Sequence, residues 1–241
     1  MTVELETFPT LDAWAEDIAR RLADALEVGA RANRGWSVLA GSGGSTPSPI
    51  YRRLANLRSV QDWQHTFVTL VDERYVPEDH AESNAAFLKQ TLLVGPASEA
   101  EFIPLYHPEV TVDRAAALAT EALNVELENR RFDAVLLGMG EDGHICSMFP
   151  NSPTLKTLLT PTLKPAVYGV PHGRDGAAPS LERLSINLPY LINARRVVLA
   201  LKGSAKRSVF EREAGGDPAT QPVAAMIATK VPLEVVWMEA A

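Results

Sequence analysis

The sequence predicts an α/β fold in which a mostly parallel, modified Rossmann-like sheet has helices on both faces. Short, almost continuously apolar segments alternate with amphipathic segments along the 241 residues, and this alternation is typical of βαβ units around a buried sheet. Three polar clusters, GSGGST, DER and GMGEDGH, directly follow predicted strands. Since such sheets bind ligands beyond the carboxyl ends of their strands, we expect the three clusters to face one crevice.

The first half of the chain begins this alternation. Residues 10–28 place apolar side chains at helical spacing, with Thr10 as a candidate N-cap and Gly29 as a candidate end of the helix. A short buried strand is predicted over residues 36–40, immediately before GSGGST. The rest of this half is predicted as a strand over residues 65–71 and helices over 48–57, 84–93 and 112–129.

The second half continues the same pattern. Strands are predicted over residues 132–137, 184–188, 196–201 and 233–238, with a helix over 204–214. The many prolines and glycines between residues 151 and 180 make that stretch the least regular part of the chain. No internal repeat or linker divides the sequence, so residues 1–241 are expected to form a single domain.

Composition and charge limit the classes of function. A formal net charge of −7 argues against general binding to nucleic acid or to a membrane surface, which requires basic stripes. No apolar run approaches the roughly 20 residues of a membrane span, and no signal peptide is visible. The single cysteine, Cys146, cannot form an internal disulfide. We therefore expect a cytoplasmic globular protein, and the sequence predicts no particular oligomeric state.

The segment that follows strand 132–137 reads GMGEDGH and contains a literal G-x-G-x-x-G. A dinucleotide fingerprint needs a helix after its last glycine, but Pro150 and Pro153 leave room for only a turn or two. The glycines instead allow the backbone to bend sharply beside a ligand. Asp142 and His144 could then face the same side, where the carboxylate would orient the imidazole as a general base. The alternative is an Asp-x-His pair with a purely structural role.

The segment GSGGST, residues 41–46, is a second turn of small residues at the end of a strand. Its backbone N–H groups and hydroxyls suit a phosphate, with Ser42, Gly43, Gly44 and Ser45 as candidate ligands. It lacks the Gly-Lys-Ser/Thr of a nucleotide P-loop, so no triphosphate is implied. A plain strand-to-helix connection is the alternative interpretation.

An anionic ligand in an acidic protein needs cations gathered locally. Arg183, before a predicted strand, and Lys206, at the start of a predicted helix, are candidates, although each alone could be a surface charge. The cluster Asp72-Glu73-Arg74 is either a solvated charge run or part of an ordered site at the end of its strand. No His, Cys, Asp or Glu residues have convincing metal spacing, so no metal is expected.

Four segments of the sequence together resemble one known family. In order they are LAGSGGSTPSPIY, VTLVDERYVP followed by SNAAFL, LLGMGEDGHICSMFP, and RLSINLPYLINARRVVLALKGSAKR. They are similar to the soluble 6-phosphogluconolactonase family, within a superfamily that includes glucosamine-6-phosphate deaminase. The deaminases carry Asn-Glu-Pro after the histidine, whereas this chain has Ser147-Met148-Phe149-Pro150, similar to the lactonases. That difference favours the lactonase branch.

The resemblance implies hydrolysis of 6-phospho-D-glucono-1,5-lactone to 6-phospho-D-gluconate in the oxidative pentose phosphate pathway, without a cofactor. His144, oriented by Asp142, would activate the attacking water. Arg74 would stabilise negative charge, and Asp72 would order Arg74 or a sugar hydroxyl. The phosphate of this small-molecule substrate would be held by Ser42, Gly43, Gly44, Ser45, Arg183 and Lys206. Ser147 as a covalent nucleophile is not favoured, because no G-x-S-x-G elbow surrounds it.

Two alternative functions stay open at the level of sequence. One is a glucosamine-6-phosphate isomerase or deaminase of the same superfamily, against which the missing glutamate counts. The other is a non-catalytic sugar-phosphate-sensing domain, since related folds serve as effector domains of transcription regulators. The sequence shows neither a basic patch nor a separate DNA-binding segment, which counts against a sensor.

Overall fold

The computed structural model describes residues 4–109, 111–128, 130–174 and 177–239. The strands in these ranges are β1 (Leu5–Phe8), β2 (Ser37–Gly41), β3 (Thr66–Leu70), β4 (Asp72–Arg74), β5 (Glu101–Phe102), β6 (Ala134–Leu137), β7 (Val167–Val170), β8 (Arg183–Ile186), β9 (Arg196–Lys202) and β10 (Leu233–Met238). The helices are α1 (Leu11–Ala32), α2 (Ser48–Leu57), α3 (Val60–Trp63), α4 (Asn84–Thr91), α5 (Val112–Leu127), α6 (Leu155–Leu158), α7 (Leu188–Asn193), α8 (Ser204–Ala214) and α9 (Pro222–Ala228).

Seven of the strands form one parallel sheet, in the order β1-β10-β9-β6-β2-β3-β5. Helices surround this sheet, and every residue of β2, β3 and β6 is buried, as expected for strands that are covered on both faces. The predicted α/β fold with a mostly parallel sheet is therefore confirmed.

A second, three-stranded sheet was not predicted. It has the order β4-β8-β7, and both of its strand pairs are antiparallel. Only Val71 separates β3 from β4. Nothing in the apolar run of residues 65–71 or in the charged residues after it shows that β4 belongs to a different sheet from β3. The strand predicted over residues 184–188 belongs to this smaller sheet, as β8.

Helix α1 begins where the sequence predicts but ends later. The Thr10 hydroxyl accepts a hydrogen bond from the Ala13 N–H at 3.2 Å, as an N-cap does. The prediction that Gly29 ends the helix is wrong, because α1 continues to Ala32. Gly29 is instead buried against Asp133, and a Cβ at this position would lie 2.1 Å from the Asp133 Cγ. The glycine serves close packing rather than termination.

The Asp133 carboxylate links three elements at the start of β6. It is fully buried and accepts hydrogen bonds from the Val38 N–H of β2 at 3.0 Å and from Arg195 Nε, just before β9, at 3.1 Å. Burial raises the pKa of this carboxyl, while the bonds to Arg195 and Val38 partly counteract that effect. The group therefore fastens neighbouring strands of the sheet below α1.

Several short elements lack a clear signal in the sequence. Strand β1 lies at the edge of the sheet and is only partly buried, so it has no continuous apolar run. Helix α6 and strand β7 have four residues each and lie within residues 151–180, where prolines interrupt any pattern. Helix α5 ends at Leu127, and the end predicted for it, residue 129, lies outside the described residues. None of the helices in the described ranges is long and apolar enough to cross a bilayer.

Replacing Asp133 with alanine should destabilise the fold, because the Val38 N–H loses its acceptor and Arg195 loses its partner. We expect the free energy of unfolding to fall by about 1–3 kcal/mol, measured as a lower urea midpoint at an unchanged m-value. The matched control is Asp24→Ala on the exposed side of α1, which should change the stability by less than about 0.5 kcal/mol. Equal effects of the two substitutions would contradict this role of Asp133.

Candidate active site

Two glycine-rich loops lie at the same edge of the parallel sheet. GSGGST follows β2 and GMGEDGH follows β6, and β2 and β6 are neighbouring parallel strands. Between them lies a cavity of about 340 Å³. Of the ten predicted site residues, nine line this cavity: Ser42, Gly43, Gly44, Ser45, Asp72, Arg74, His144, Arg183 and Lys206. The tenth, Asp142, is bonded to His144. The structure therefore brings together residues that are as many as 164 positions apart in the sequence.

His144 is held by the turn on which it lies. The Asp142 Oδ1 atom accepts from the His144 backbone N–H at 3.2 Å and lies 2.5 Å from the His144 Nδ1 atom. An ionised carboxylate only accepts, so Nδ1 carries the proton and Nε2 is left to accept another. The Phe149 ring packs against the imidazole with centroids 4.2 Å apart. In this arrangement the Asp142 carboxylate fixes the tautomer of the imidazole, which is what a histidine general base requires.

The Asp142 carboxyl has the charge state that it needs to orient the imidazole of His144. Its partial burial raises the pKa, but the hydrogen bond and positive charge of His144 outweigh burial, and the net pKa lies below the ordinary value of 3.8. Asp142 therefore remains ionised at neutral pH and can stabilise a positive charge on the ring.

Two glycines allow this turn to form. A Cβ at Gly140 would lie 2.2 Å from the His144 Nδ1 atom, where the imidazole already stands. Gly143 has a φ of +88°, and a Cβ there would lie 2.5 Å from the Glu213 Cδ atom. Glu213 is buried on α8, and its Oε2 atom has no hydrogen-bond partner among the described residues. Helix α8 thus packs against the GMGEDGH turn through Glu213.

Strand β4 holds the cluster Asp72-Glu73-Arg74 in place, and Asp72 and Glu73 are buried rather than part of a solvated charge run. Glu73 has a structural role, because its carboxylate accepts from the Asn84 and Ala85 N–H groups at 2.7 Å each, at the start of α4. Burial raises the pKa of Glu73. Pairing of β4 with β8 places Arg74 opposite Arg183, which delivers two cations to one wall of the cavity.

Ser147 does not offer a nucleophile to this cavity. Its side chain is fully buried, and its hydroxyl donates to the Asp72 Oδ2 atom at 2.6 Å. This bond connects the end of the GMGEDGH loop to strand β4. The geometry agrees with the sequence analysis, which did not favour Ser147 as a nucleophile.

The cavity collects donors and cations, and Asp72 is the only carboxylate among the residues that line it. Among the described residues, the Ser42 Oγ, Arg74 Nε and Arg183 Nε atoms are buried without hydrogen-bond partners. Neither Arg183 nor Lys206 forms a salt bridge within the described ranges. Desolvation lowers the pKa of both side chains. The charge of Asp72 partly offsets this effect for Arg183, and the charges of Glu141 and Asp142 partly offset it for Lys206. Since desolvated cations without partners favour an anion, this cavity suits a phosphate.

Asn84 is a site residue that the analysis of the sequence missed. Its Oδ1 atom accepts from Arg74 Nη1 at 3.0 Å, and its Nδ2 atom donates to the Asp72 carbonyl at 2.9 Å. Arg74 Nη1 also donates to the Glu82 carbonyl at 2.6 Å, so the guanidinium has a fixed direction. The only signal for Asn84 was its place in SNAAFL, one of the segments that carry the resemblance. Cys146, which is buried two residues after His144, also lines the cavity.

Comparisons with known proteins agree with the family resemblance of the four sequence segments. A family model described as glucosamine-6-phosphate isomerases/6-phosphogluconolactonase matches residues 9–237. A 6-phosphogluconolactonase of Rhizobium meliloti is 39% identical over 231 residues, which are 94% of this chain and 93% of the relative. Another from Caulobacter vibrioides is 35% identical over 98% of both chains. A solved 6-phosphogluconolactonase structure from Shewanella baltica superimposes with a TM-score of 0.86, at 33% identity and 98% coverage of each chain.

Gly143→Ala should destabilise the protein more than Gly35→Ala. The two glycines have similar positive φ values, +88° and +97°, but nothing lies within 4 Å of a Cβ at Gly35. We expect an additional loss of about 1–3 kcal/mol at Gly143 from the overlap with Glu213, measured by urea unfolding.

A double-mutant cycle isolates that overlap. Glu213→Ala removes the obstructing side chain, so the pair Gly143→Ala and Glu213→Ala should show a coupling energy of at least about 1 kcal/mol. Strictly additive effects would rule out the contact between α8 and the turn.

Proposed function

We propose that this chain, which belongs to the family of glucosamine-6-phosphate isomerases and 6-phosphogluconolactonases, hydrolyses 6-phospho-D-glucono-1,5-lactone to 6-phospho-D-gluconate. The observation that carries the proposal is the placement of an imidazole–carboxylate pair, His144 and Asp142, beside a cavity lined by Arg74, Arg183 and Lys206, which form no salt bridge among the described residues. Water activation and phosphate binding are the two tasks that this reaction requires.

In the first step, His144 Nε2 removes a proton from a water molecule as the water oxygen attacks the C1 carbonyl of the lactone. The ring becomes positively charged, and the Asp142 carboxylate, which holds Nδ1, stabilises that charge. When the tetrahedral intermediate collapses, the bond from C1 to the ring oxygen breaks, and His144 returns the proton to that oxygen. The base is then regenerated, and no covalent enzyme intermediate is needed.

Arg74 is the candidate for stabilising the developing oxyanion. Asn84 and the Glu82 carbonyl direct its guanidinium, while its Nε atom has no partner within the described part of the chain. A preoriented donor of this kind lowers the barrier without reorganisation during the reaction. Asp72 accepts the hydrogen bond of the Ser147 hydroxyl and lines the cavity, and we assign it to ordering a sugar hydroxyl.

The phosphate is assigned to the GSGGST turn, with Arg183 and Lys206. The ligands in that turn are Ser42, Gly43, Gly44 and Ser45. A phosphate monoester carries up to about two negative charges near neutral pH, and two desolvated cations together with backbone N–H groups match that charge. The lactone hydrolyses in water without help, so a general base worth about 10²–10⁴-fold and an oxyanion donor are sufficient machinery.

The alternatives of the sequence analysis are less well supported. The positions that follow the base carry Ser147 and Phe149 rather than an acid, and a deaminase needs that acid for ring opening. A sensor has no use for an imidazole held by a carboxylate at the wall of the cavity. We further propose that residues 1–241 form one lactonase-like domain that acts in the cytoplasm on a small sugar phosphate, without nucleic acid.

His144→Ala should lower kcat by about 10²–10⁴-fold with little change in KM, because the imidazole is not assigned to phosphate binding. The measurement is a pH-stat assay with freshly prepared lactone, corrected for spontaneous hydrolysis. His65→Ala, which alters an exposed histidine before β3, is the matched control and should retain full activity.

Two results would contradict this assignment. One is a His144→Ala variant with unchanged kcat. The other is ammonia release from glucosamine 6-phosphate at a rate comparable with lactone hydrolysis, which would favour the deaminase branch.

Lys206→Met should raise KM for the phosphorylated lactone by about 10–100-fold, the usual cost of losing a hydrogen bond to a charged group. The rate on unphosphorylated glucono-1,5-lactone should not change, because that substrate has no phosphate to hold. Lys202→Met, an exposed lysine at the end of β9, is the control. Equal kcat/KM of the unmodified protein for both lactones would show that the phosphate site is misassigned.

A further inference from the structure

The Phe149 ring lies against the imidazole of His144 but does not line the candidate cavity. The two ring centroids are 4.2 Å apart and the ring planes are inclined by 37°, so the rings are partly stacked rather than in contact edge to face. Phe149 is buried, with 4% of its surface exposed. Since it does not reach the cavity, it influences the proposed reaction through the side chains that it contacts.

The imidazole of His144 has three restraining neighbours. The Asp142 Oδ1 atom lies 2.5 Å from Nδ1, and the Gly140 backbone is so near that a Cβ there would lie 2.2 Å from Nδ1 and 2.3 Å from Cε1. Both contacts are at the Nδ1 side of the ring, and one hydrogen bond tolerates a range of angles. The Phe149 ring covers a face of the imidazole and therefore fixes the plane of the ring, which leaves Nε2 for the attacking water.

The segment that carries Phe149 is held by hydrogen bonds of its own. Ser147, two residues earlier, donates its N–H to the Ser185 Oγ atom of β8 at 3.2 Å and its hydroxyl to strand β4. After the ring, the Ser152 N–H donates to the Phe149 carbonyl at 3.0 Å. Because the bonds of Ser147 fasten the segment to the smaller sheet, the position of the Phe149 ring does not depend on His144.

Phe149 has a weaker contact with a cation of the cavity. The Arg183 guanidinium lies 5.9 Å from the centroid of the Phe149 ring, close to the limit of about 6 Å for a cation–π contact. Loss of the ring should therefore disturb the imidazole more than the proposed phosphate ligand, and kcat more than KM.

We propose that Phe149 is a positioning residue for lactone hydrolysis, because its ring holds the imidazole of His144 in the orientation from which Nε2 removes a proton from water. This inference rests on the proposed function and assigns no chemistry to Phe149 itself. Displacement of a reacting group by about 1 Å costs up to about 100-fold in rate. An imidazole that is free to turn is therefore a poorer base, even while Asp142 remains in place.

Phe149→Leu removes the flat ring and keeps an apolar side chain. We expect kcat for the lactone to fall by about 10–100-fold and KM to change by less than about threefold, while Phe149→Tyr, which retains a flat ring, should restore most of kcat. The matched control is Phe132→Leu, which removes another buried ring, stacked on Tyr190 before the amino end of β6, and should keep kcat. Urea unfolding verifies that each variant is folded.

A kinetic double-mutant cycle tests whether Phe149 acts through His144. In His144→Ala/Phe149→Leu, kcat should be no lower than in His144→Ala alone, because no imidazole is left to be positioned. Independent effects of the two substitutions would overturn the inference. So would an unchanged kcat in Phe149→Leu, an equal loss in Phe132→Leu, or a kcat in Phe149→Tyr as low as in Phe149→Leu.

Nitrogen-15 spectra of the histidine rings separate this inference from the proposed function, since they need no substrate. The signals of His144, identified by their loss in His144→Ala, should show a neutral ring protonated at Nδ1. In Phe149→Leu the two nitrogen shifts should move toward each other as the tautomers exchange, whereas Phe132→Leu should leave them unchanged. Identical His144 shifts in Phe149→Leu and the unmodified protein would overturn the inference. An unmodified protein that does not hydrolyse the lactone would instead overturn the proposed function.

Discussion

The pairing of β2 with β6 is the contact on which the candidate site depends. The two strands are parallel neighbours, with Leu39 opposite Ala134 and Ala40 opposite Val135, although almost a hundred residues separate them. Because parallel strands end at the same edge of a sheet, this pairing brings the GSGGST turn and the GMGEDGH turn together. Strand β9 adjoins β6 on its other side and leads to the helix that carries Lys206. The order of the strands therefore brings together the turn proposed to bind phosphate and the histidine proposed as the base.

The smaller antiparallel sheet completes the site from a different direction. Strand β4 begins one residue after β3 ends but belongs to the smaller sheet. It pairs with β8, which places Arg74 and Arg183 side by side. Such a pair of like charges is unfavourable by itself. Buried polar groups around it, above all Asn84 and the Glu73 carboxylate that caps α4, hold the backbone and guanidinium in position. The cost of assembling these charges is consistent with a site built to receive an anion.

Sequence analysis predicted the α/β class and the family, and the structure and the relatives confirm both. It also selected the residues that surround the candidate cavity, because loops at strand ends can be recognised without coordinates. It failed where the structural role of a residue depends on a contact with a residue far away in the sequence. Gly29 looks like a helix end unless Asp133 is known to press against it, and Asn84 looks like an ordinary helix start until Arg74 and Asp72 are placed beside it.

Helix α8 carries both Lys206 and Glu213, which are seven residues apart and thus about two turns apart on one face. Lys206 lines the candidate cavity, and Glu213 packs against Gly143. Inserting or deleting a single residue between them would rotate one relative to the other by about 100°, so only one of the two could keep its place. The number of residues between Lys206 and Glu213, rather than their identity, is therefore what allows this helix to serve both the cavity and the turn.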